Sequence, residues 1–175
     1  SKSEHNFAQR LIIKTIESIT GKKKLESLYK NYSINQKNPK TFWTDILNEM
    51  QIKIIDKSLN KFTIPTSGPL LVIANHPFGI IDGLILCSLV SQFRNDFKIM
   101  THETLQFLPQ LKQFILPVDF SGRNKESKIL NLKTAKNARE HLNSNGILII
   151  FPSGGVSVAK SLKSEALDDA WKLFP

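Results

Sequence analysis

The sequence of 175 residues contains a single cysteine, Cys87, so the chain cannot form an internal disulfide or a zinc site made of cysteines alone. Long hydrophobic runs are also absent. The longest apolar stretches, 70–74 and 147–151, have about five residues each, whereas a membrane-spanning helix needs about 20. No secretory signal pattern precedes them. With 41% hydrophobic and 22% charged residues, the composition predicts one globular domain rather than a disordered tail or a charged coiled coil.

Acidic residues are in deficit, because 24 Lys and Arg face 15 Asp and Glu and give a net charge of +9. Such a chain is attracted to anionic lipid, nucleic acid, acidic proteins or phosphorylated cofactors. Residues 1–40 carry +6 of this charge. Over residues 1–50, apolar residues at helical spacing predict two or three basic amphipathic helices. These helices could lie on an anionic membrane or pack on the rest of the domain, and Phe42 and Trp43 favour packing.

Three functions receive little support from the sequence: nucleic-acid binding, metal binding and nucleophilic catalysis by a cysteine. No recognition helix or aromatic stacking motif accompanies the basic charge, so we expect no nucleic-acid partner. The histidines His5, His102 and His141 show no paired ligand spacing, so we expect no metal site. Cys87 lies in an apolar stretch and is predicted to pack in the core rather than act as a nucleophile.

From residue 51 onward, predicted strands alternate with predicted helices. We place strands at 52–55, 70–74, 97–100, 114–118 and 147–151, and helices at 84–90 and 125–145. Gly146 is assigned as the glycine that ends the second of these helices. The alternation predicts an α/β domain with a central, mostly parallel sheet and helices on both faces. We therefore expect a helical segment at 1–50 and a core at 51–175 that lacks its C-terminal part, because the chain stops on apolar residues.

The first candidate site directly follows the predicted strand at 70–74, in the sequence Asn75-His76-Pro77-Phe78-Gly79-Ile80-Ile81-Asp82-Gly83. Pro77 keeps His76 extended at the strand tip. His76 and Asp82 can meet across a strand–turn–helix corner, where a carboxylate on one ring nitrogen leaves the other nitrogen free to act as a general base. The alternative is a histidine that caps the helix and an aspartate in its first turn.

The second candidate site follows the strand at 147–151, in the sequence Phe151-Pro152-Ser153-Gly154-Gly155-Val156-Ser157. A loop with two glycines exposes backbone N–H groups that can hold an oxyanion or a phosphate. A tight connection between strand and helix is the alternative. Ser153 does not lie in a nucleophile elbow, because Phe151 stands where that motif requires glycine.

Together the two loops resemble the lysophospholipid acyltransferase family, over residues 65–160. The first family motif, an Asn-His pair followed by an Asp, matches Asn75, His76 and Asp82. The third motif, Phe-Pro-Glu-Gly-Thr-Arg-Ser, matches at Phe151, Pro152, Gly154 and Ser157. Arg123, within 117–123, is the candidate for the arginine of the second motif, which binds the acceptor head group.

The sequence also departs from the family pattern. Five residues instead of four separate His76 from Asp82, and Ser153, Gly155 and Val156 replace the Glu, Thr and Arg of the third motif. The form His-Pro-Phe-Gly-x-x-Asp-Gly at 76–83 resembles the hemolysin-like or ornithine-lipid acyltransferase branch, and the missing charges of the third motif bear on the acceptor. They favour a lysolipid or amino-lipid acceptor other than lysophosphatidate.

The resemblance implies a fold similar to glycerol-3-phosphate acyltransferase and transfer of a fatty acyl group from a thioester to a lysophospholipid or related lysolipid. It implies His76 as general base, held by Asp82, and an acyl donor that is coenzyme A-bound or carried on acyl carrier protein, with no cofactor or metal. It also implies peripheral binding to an anionic membrane at the cytoplasmic face of the inner membrane, for a chain that is soluble as a fragment. The substrate-binding residues would be Asn75, Arg123, Phe151, Pro152, Ser153, Gly154, Gly155 and Ser157.

Two other functions remain open from the sequence. One is a thioester or lipid hydrolase in which Ser153 works with His76 and Asp82 and forms a covalent acyl-enzyme. The other is a basic module that binds membranes without catalysis. The hydrolase needs no acceptor, and membrane binding would weaken with salt and would not depend on His76.

Overall fold

The computed structural model describes residues 41–55, 63–103, 109–120, 124–159 and 166–171. Within these ranges lie three α-helices, one 3₁₀ helix and six strands. They are α1 Phe42–Glu49, β1 Leu70–Ile73, α2 Ile80–Ser91, β2 Phe97–His102, the 3₁₀ helix Pro109–Phe114, β3 Ile115–Val118, α3 Lys125–Asn143, β4 Ile147–Ile150, β5 Val158–Ala159 and β6 Ala166–Leu167. None of the helices in the described part of the chain is long and apolar enough to cross a membrane.

Four of the strands form one parallel sheet in the order β1-β4-β2-β3. The central strand β4 is buried along its whole length, which explains its unbroken apolar sequence, since a strand covered on both faces has no solvent side. β5 and β6 form a separate antiparallel pair. The parallel sheet confirms the predicted α/β architecture.

Helices cover both faces of this sheet. On one face, α1 and α2 pack with alternate strand residues such as Phe97, Ile147 and Ile149. On the other face, α3 packs through Ala138 against Leu148 and its neighbours. Adjacent residues of β4 therefore serve opposite layers, as the twofold alternation of a strand requires.

Helix α1 belongs to the first of these layers. Phe42 is fully buried, and Trp43 stacks edge-on against Phe114 with ring centroids 5.7 Å apart. This confirms that both aromatic residues pack in the core. The residues before α1, which carry most of the predicted basic helices, lie outside the described residues.

The strand predicted at 52–55 is wrong. These residues have no regular secondary structure, and Gln51 just before them adopts a positive φ of 57° that ends α1 in a turn. Ile52 and Ile54 pack against the core while Ile55 is exposed. Their alternation imitates a strand, because a single extended segment lying on a core also buries every second side chain.

The end of α3 also differs from its prediction. The left-handed residue is Asn145, with φ 67°, and not Gly146. Gly146 N–H donates to the carbonyl of His141, and Asn145 N–H donates to that of Leu142, which is the Schellman arrangement. Gly146 matters for a different reason: a Cβ there would clash with the imidazole of His141, which would have to move.

At the end of the sheet where the strands begin, the guanidinium of Arg94 hydrogen-bonds to residues that precede several strands. It is 7% exposed and forms a two-pronged ion pair with Asp96, with N–O distances of 2.9 and 2.6 Å. It also donates to the carbonyl oxygens of Gly68, before β1, and Asn145, before β4. One planar group therefore binds the Asp96 carboxylate before β2 and backbone carbonyls before β1 and β4, which a lysine ammonium cannot do.

We predict that Arg94→Lys lowers the free energy of unfolding by about 1–3 kcal/mol, because buried carbonyls lose their donors. Urea unfolding followed by circular dichroism measures this change. Arg139→Lys, on the exposed side of α3, is the matched control and should stay within about 0.5 kcal/mol of the wild type. Equal stabilities for the two variants would contradict this account of Arg94.

Candidate active site

His76 stands at the carboxyl end of β1, where parallel sheets bind their ligands. After Pro77 the chain turns at Gly79, whose φ of 62° favours glycine, and α2 begins at Ile80. Asp82 then lies in the first turn of α2. The turn brings His76 Nδ1 to 3.1 Å from Asp82 Oδ2, so the structure joins the two residues as the sequence predicts.

The carboxylate of Asp82 is itself held in place. The backbone N–H of Phe78 donates to Oδ2 over 2.8 Å, and the N–H of Gly79 also donates to this carboxylate. Because Asp82 accepts a hydrogen bond from Nδ1 of the His76 ring, the proton of the neutral imidazole resides on Nδ1 and Nε2 is left as the basic nitrogen.

Burial disfavours the charged forms of both His76 and Asp82. The side chains of His76 and Asp82 are 19% and 11% exposed. Burial lowers the pKa of His76 below its ordinary value, although the charge and hydrogen bond of Asp82 oppose this. Burial likewise raises the pKa of Asp82, against the hydrogen bonds from Phe78 and His76. The imidazole is therefore unprotonated at neutral pH, which is the form that can accept a proton.

Phe151, the first residue after β4, stacks on the His76 ring. The ring centroids are 4.0 Å apart and the planes are inclined by 20°. The contact follows from the sheet order, because β4 lies directly beside β1 and Ile73 is in register with Ile150. Phe151 therefore fixes the plane of the imidazole and covers one of its faces, which contributes to the burial that lowers its pKa.

The loop after Phe151 is closed by hydrogen bonds of its own. Gly154 has φ 71°, and its N–H donates to the carbonyl of Phe151 over 2.9 Å. The hydroxyl of Ser153 is buried and donates to the carbonyl of Gly155 over 2.9 Å. The Ser153 proton thus stabilises the turn, and this geometry gives no support to Ser153 as a nucleophile.

Ser157 connects this loop to His76. Its N–H donates to the His76 carbonyl over 2.9 Å, and its hydroxyl donates to Asp168 Oδ1. Asp168 also accepts a hydrogen bond from the backbone N–H of His76 over 3.2 Å. The sequence did not point to Asp168, because neither a motif nor a regular spacing links it to a residue 92 positions away.

The structure describes all but one of the remaining predicted site residues. Asn75 immediately precedes His76 and is exposed, and Pro152 is half-buried in the turn after Phe151. Gly155 is exposed, and among the described residues no acceptor binds its N–H. Arg123 lies outside the described residues. The structure thus assembles both loops around His76, while the roles predicted for their residues stay predictions.

An apolar cavity of about 90 Å³ opens beside His76. Its lining includes Phe151, Trp43, Leu84 and Ile99, so it runs between the sheet and the layer formed by α1 and α2.

Cys87 also lines the cavity. It is fully buried, and burial raises the pKa of its thiol well above the usual range. Core packing is therefore confirmed for Cys87, because a thiol that stays protonated is a poor nucleophile. Within the described ranges, no group of three or more His, Cys, Asp or Glu residues could hold a metal ion.

Comparison with known protein families agrees with this geometry. Residues 57–169 match the family model named Acyltransferase, and this match spans more than half of the chain. The protein therefore belongs to the acyltransferase family, which confirms the predicted resemblance at the level of the family. No curated protein and no solved structure matches the chain significantly, and the branch of the family stays a prediction.

We predict that His76 titrates below pH 6.5, because burial opposes its protonation. NMR titration of the His76 ring proton, assigned by its loss in His76→Gln, measures this pKa. In Asp82→Asn the pKa should fall further, since the negative charge that favours the imidazolium is gone. A wild-type pKa at or above 6.5, or a rise in Asp82→Asn, would contradict the description of the pair.

Proposed function

We propose that the protein transfers a fatty acyl group from an acyl thioester to a lysophospholipid or related lysolipid. The single observation that carries this proposal is the placement of the His76 imidazole, hydrogen-bonded to Asp82, in the lining of an apolar cavity. The imidazole supplies a base for a hydroxyl or amine acceptor, and the cavity supplies an apolar site for an acyl chain.

The reaction requires one proton transfer in each direction. Nε2 of His76 takes the proton of the acceptor as its oxygen or nitrogen attacks the thioester carbonyl, and Asp82 stabilises the imidazolium that forms. The tetrahedral intermediate then collapses with cleavage of the carbon–sulfur bond. The leaving thiolate receives the proton from His76, so the base returns to its neutral form and the acyl group ends on the acceptor.

The negative charge on the intermediate oxygen needs a donor. The N–H of Gly155 is a candidate, because it is solvent-exposed and has no acceptor among the described residues. The N–H of Gly154 is less suited, since it already donates to the carbonyl of Phe151. A single well-placed donor of this kind contributes about 10²–10³-fold to the rate in other acyl-transfer enzymes.

The carbons of the acyl chain nearest the thioester would occupy the cavity of about 90 Å³ between the sheet and the layer of α1 and α2, and the rest of a long chain would extend out of it. Its walls are largely hydrocarbon and aromatic, with His76 and Phe151 at one end and Trp43 and Cys87 among the deeper residues that are almost fully buried. Burial of each methylene of an acyl chain in such surroundings is worth about 0.8 kcal/mol. This gain would hold the thioester carbonyl beside His76.

The expected partners follow from charge. The net charge of +9 suits the phosphates of coenzyme A, the acidic surface of acyl carrier protein and an anionic membrane that contains the acceptor. We therefore propose that the protein works peripherally at the cytoplasmic face of the inner membrane, with no cofactor beyond its acyl-donor substrate. Arg123 remains the candidate for contact with the acceptor head group.

We predict that His76→Ala lowers acceptor-dependent release of thiol from an acyl thioester by at least about 10²-fold, because general-base catalysis contributes about 10²–10⁴-fold. The assay uses palmitoyl-coenzyme A or palmitoyl acyl carrier protein with a panel of lysolipids. His102→Gln, a change of an exposed histidine at the end of β2, is the matched control and should keep wild-type activity. Unchanged release by folded His76→Ala would refute the proposed function.

We predict that Gly83→Ala shortens the acyl chains that the enzyme accepts. Gly83 lines the cavity, and an added Cβ meets Ile99 Cδ1 at an ordinary contact distance of 3.5 Å. The variant should fold well, because alanine favours a helix interior over glycine by about 0.5–1 kcal/mol.

For Gly83→Ala, kcat/KM with a palmitoyl donor should fall about 10-fold or more, since one misplaced methyl group in an apolar pocket costs that much. With an acetyl donor, whose single methyl group does not extend along the cavity, it should change little, and this donor serves as the internal control. Equal effects on both donors would contradict the assignment of the cavity to the acyl chain.

A further inference from the structure

Asp168 is the one described carboxylate besides Asp82 that acts on His76. It lies directly after β6, in the segment that returns toward the sheet from the hairpin of β5 and β6. Its Oδ1 accepts hydrogen bonds from the backbone N–H of His76 and from the hydroxyl of Ser157, and its Oδ2 accepts one from Nε1 of Trp171 over 3.0 Å. Three donors therefore converge on a single carboxylate.

The backbone of His76 is held at both of its polar groups as a result. Asp168 binds its N–H and Ser157 binds its C=O, while Ser157 and Asp168 are bonded to each other. Neither the N–H nor the C=O of His76 can hydrogen-bond to a neighbouring strand, because β1 ends at Ile73. The position of the imidazole over the cavity thus depends on an acidic residue far away in the sequence.

The charge of Asp168 acts in the same direction as that of Asp82. The hydrogen bond from Ser157 is the main cause that holds the pKa of Asp168 below its ordinary value, so the carboxylate is ionised at neutral pH. Its negative charge raises the pKa of His76, in opposition to burial. Within the described residues, the charged groups that act on His76 are Asp82 from α2 and Asp168 from the segment after β6.

We propose that Asp168 is a positioning residue for acyl transfer, which holds the His76 backbone at the cavity and stabilises the imidazolium formed when His76 takes the acceptor proton. This role rests on the proposed function of His76. It acts through His76 and not on the substrate, so we expect its loss to lower kcat and to leave KM for the acyl donor nearly unchanged.

The test compares variants in a Trp171→Phe background. In Asp168→Asn the amide NH₂ group would face the indole N–H of Trp171, and two donors cannot hydrogen-bond to each other. Trp171→Phe removes this conflict. Asp168→Asn in this background keeps an oxygen for the His76 N–H but removes the charge. Asp169→Asn in the same background is the matched control. Asp169 is exposed, and it is not one of the described charges that act on His76.

Relative to Trp171→Phe alone, Asp168→Asn should lower kcat about 5–10-fold, and Asp168→Ala, which also loses the acceptor, should lower it by up to about 10²-fold, the scale of a displaced catalytic group. Asp169→Asn should change neither kcat nor KM. NMR titration should show a lower His76 pKa in Asp168→Asn, because a stabilising negative charge has been removed.

The direction of this pKa change separates positioning from general loosening of the loop. A loosened loop would admit water to His76 and raise its pKa, whereas loss of charge alone lowers it. An unchanged or raised His76 pKa in folded Asp168→Asn would overturn the proposal, as would an unchanged kcat. The titration needs no substrate. If His76→Ala proved fully active, the proposed function would fail, and the titration would still decide whether Asp168 acts on His76.

Discussion

The contact between His76 Nδ1 and Asp82 Oδ2 is the interaction on which the site depends. It requires three local features at once: an extended residue before Pro77, a turn through positive φ at Gly79, and a helix that places Asp82 in its first turn. Burial of the pair opposes charge on either partner, so the resting state is a neutral base. In the proposed reaction, a proton taken from the acceptor creates the charged imidazolium, which Asp82 then stabilises.

The parallel sheet supplies the second requirement, which is proximity of two loops that are distant in sequence. β1 and β4 are hydrogen-bonded neighbours, in register from Leu70 with Ile147 to Ile73 with Ile150. Their carboxyl ends therefore meet at one edge, and Phe151 stacks on His76 without any further adjustment of the chain. At the opposite end of the sheet, Arg94 hydrogen-bonds to residues that precede the strands. The contacts expected to stabilise the fold therefore lie at one end of the strands and the candidate active site at the other.

The sequence predicts those parts of the structure that local pattern determines. The strand at 147–151 is recognisable because a fully covered strand is continuously apolar. The strand at 70–74 is found by the same apolar run, although Leu71 and Ile73 of β1 are exposed. The His76–Asp82 pair follows from the turn between strand and helix. The strand at 52–55 fails because alternating burial does not reveal whether a neighbouring strand exists. Asp168 could not be found from pattern, because its contact with His76 is made by tertiary structure alone. Arg123, the residue predicted to contact the acceptor head group, lies outside the described residues.

The family match and the geometry converge on acyl transfer, and the central claim is that neutral His76 takes the acceptor proton. The most direct test records kcat/KM for acceptor-dependent acyl transfer against pH and, in the same buffers, the NMR titration of His76. The account predicts that activity falls on the acidic side with a midpoint below pH 6.5 that coincides with the His76 pKa, because protonation removes the base. An acidic limb that is absent, or that lies apart from the His76 titration, would contradict the account.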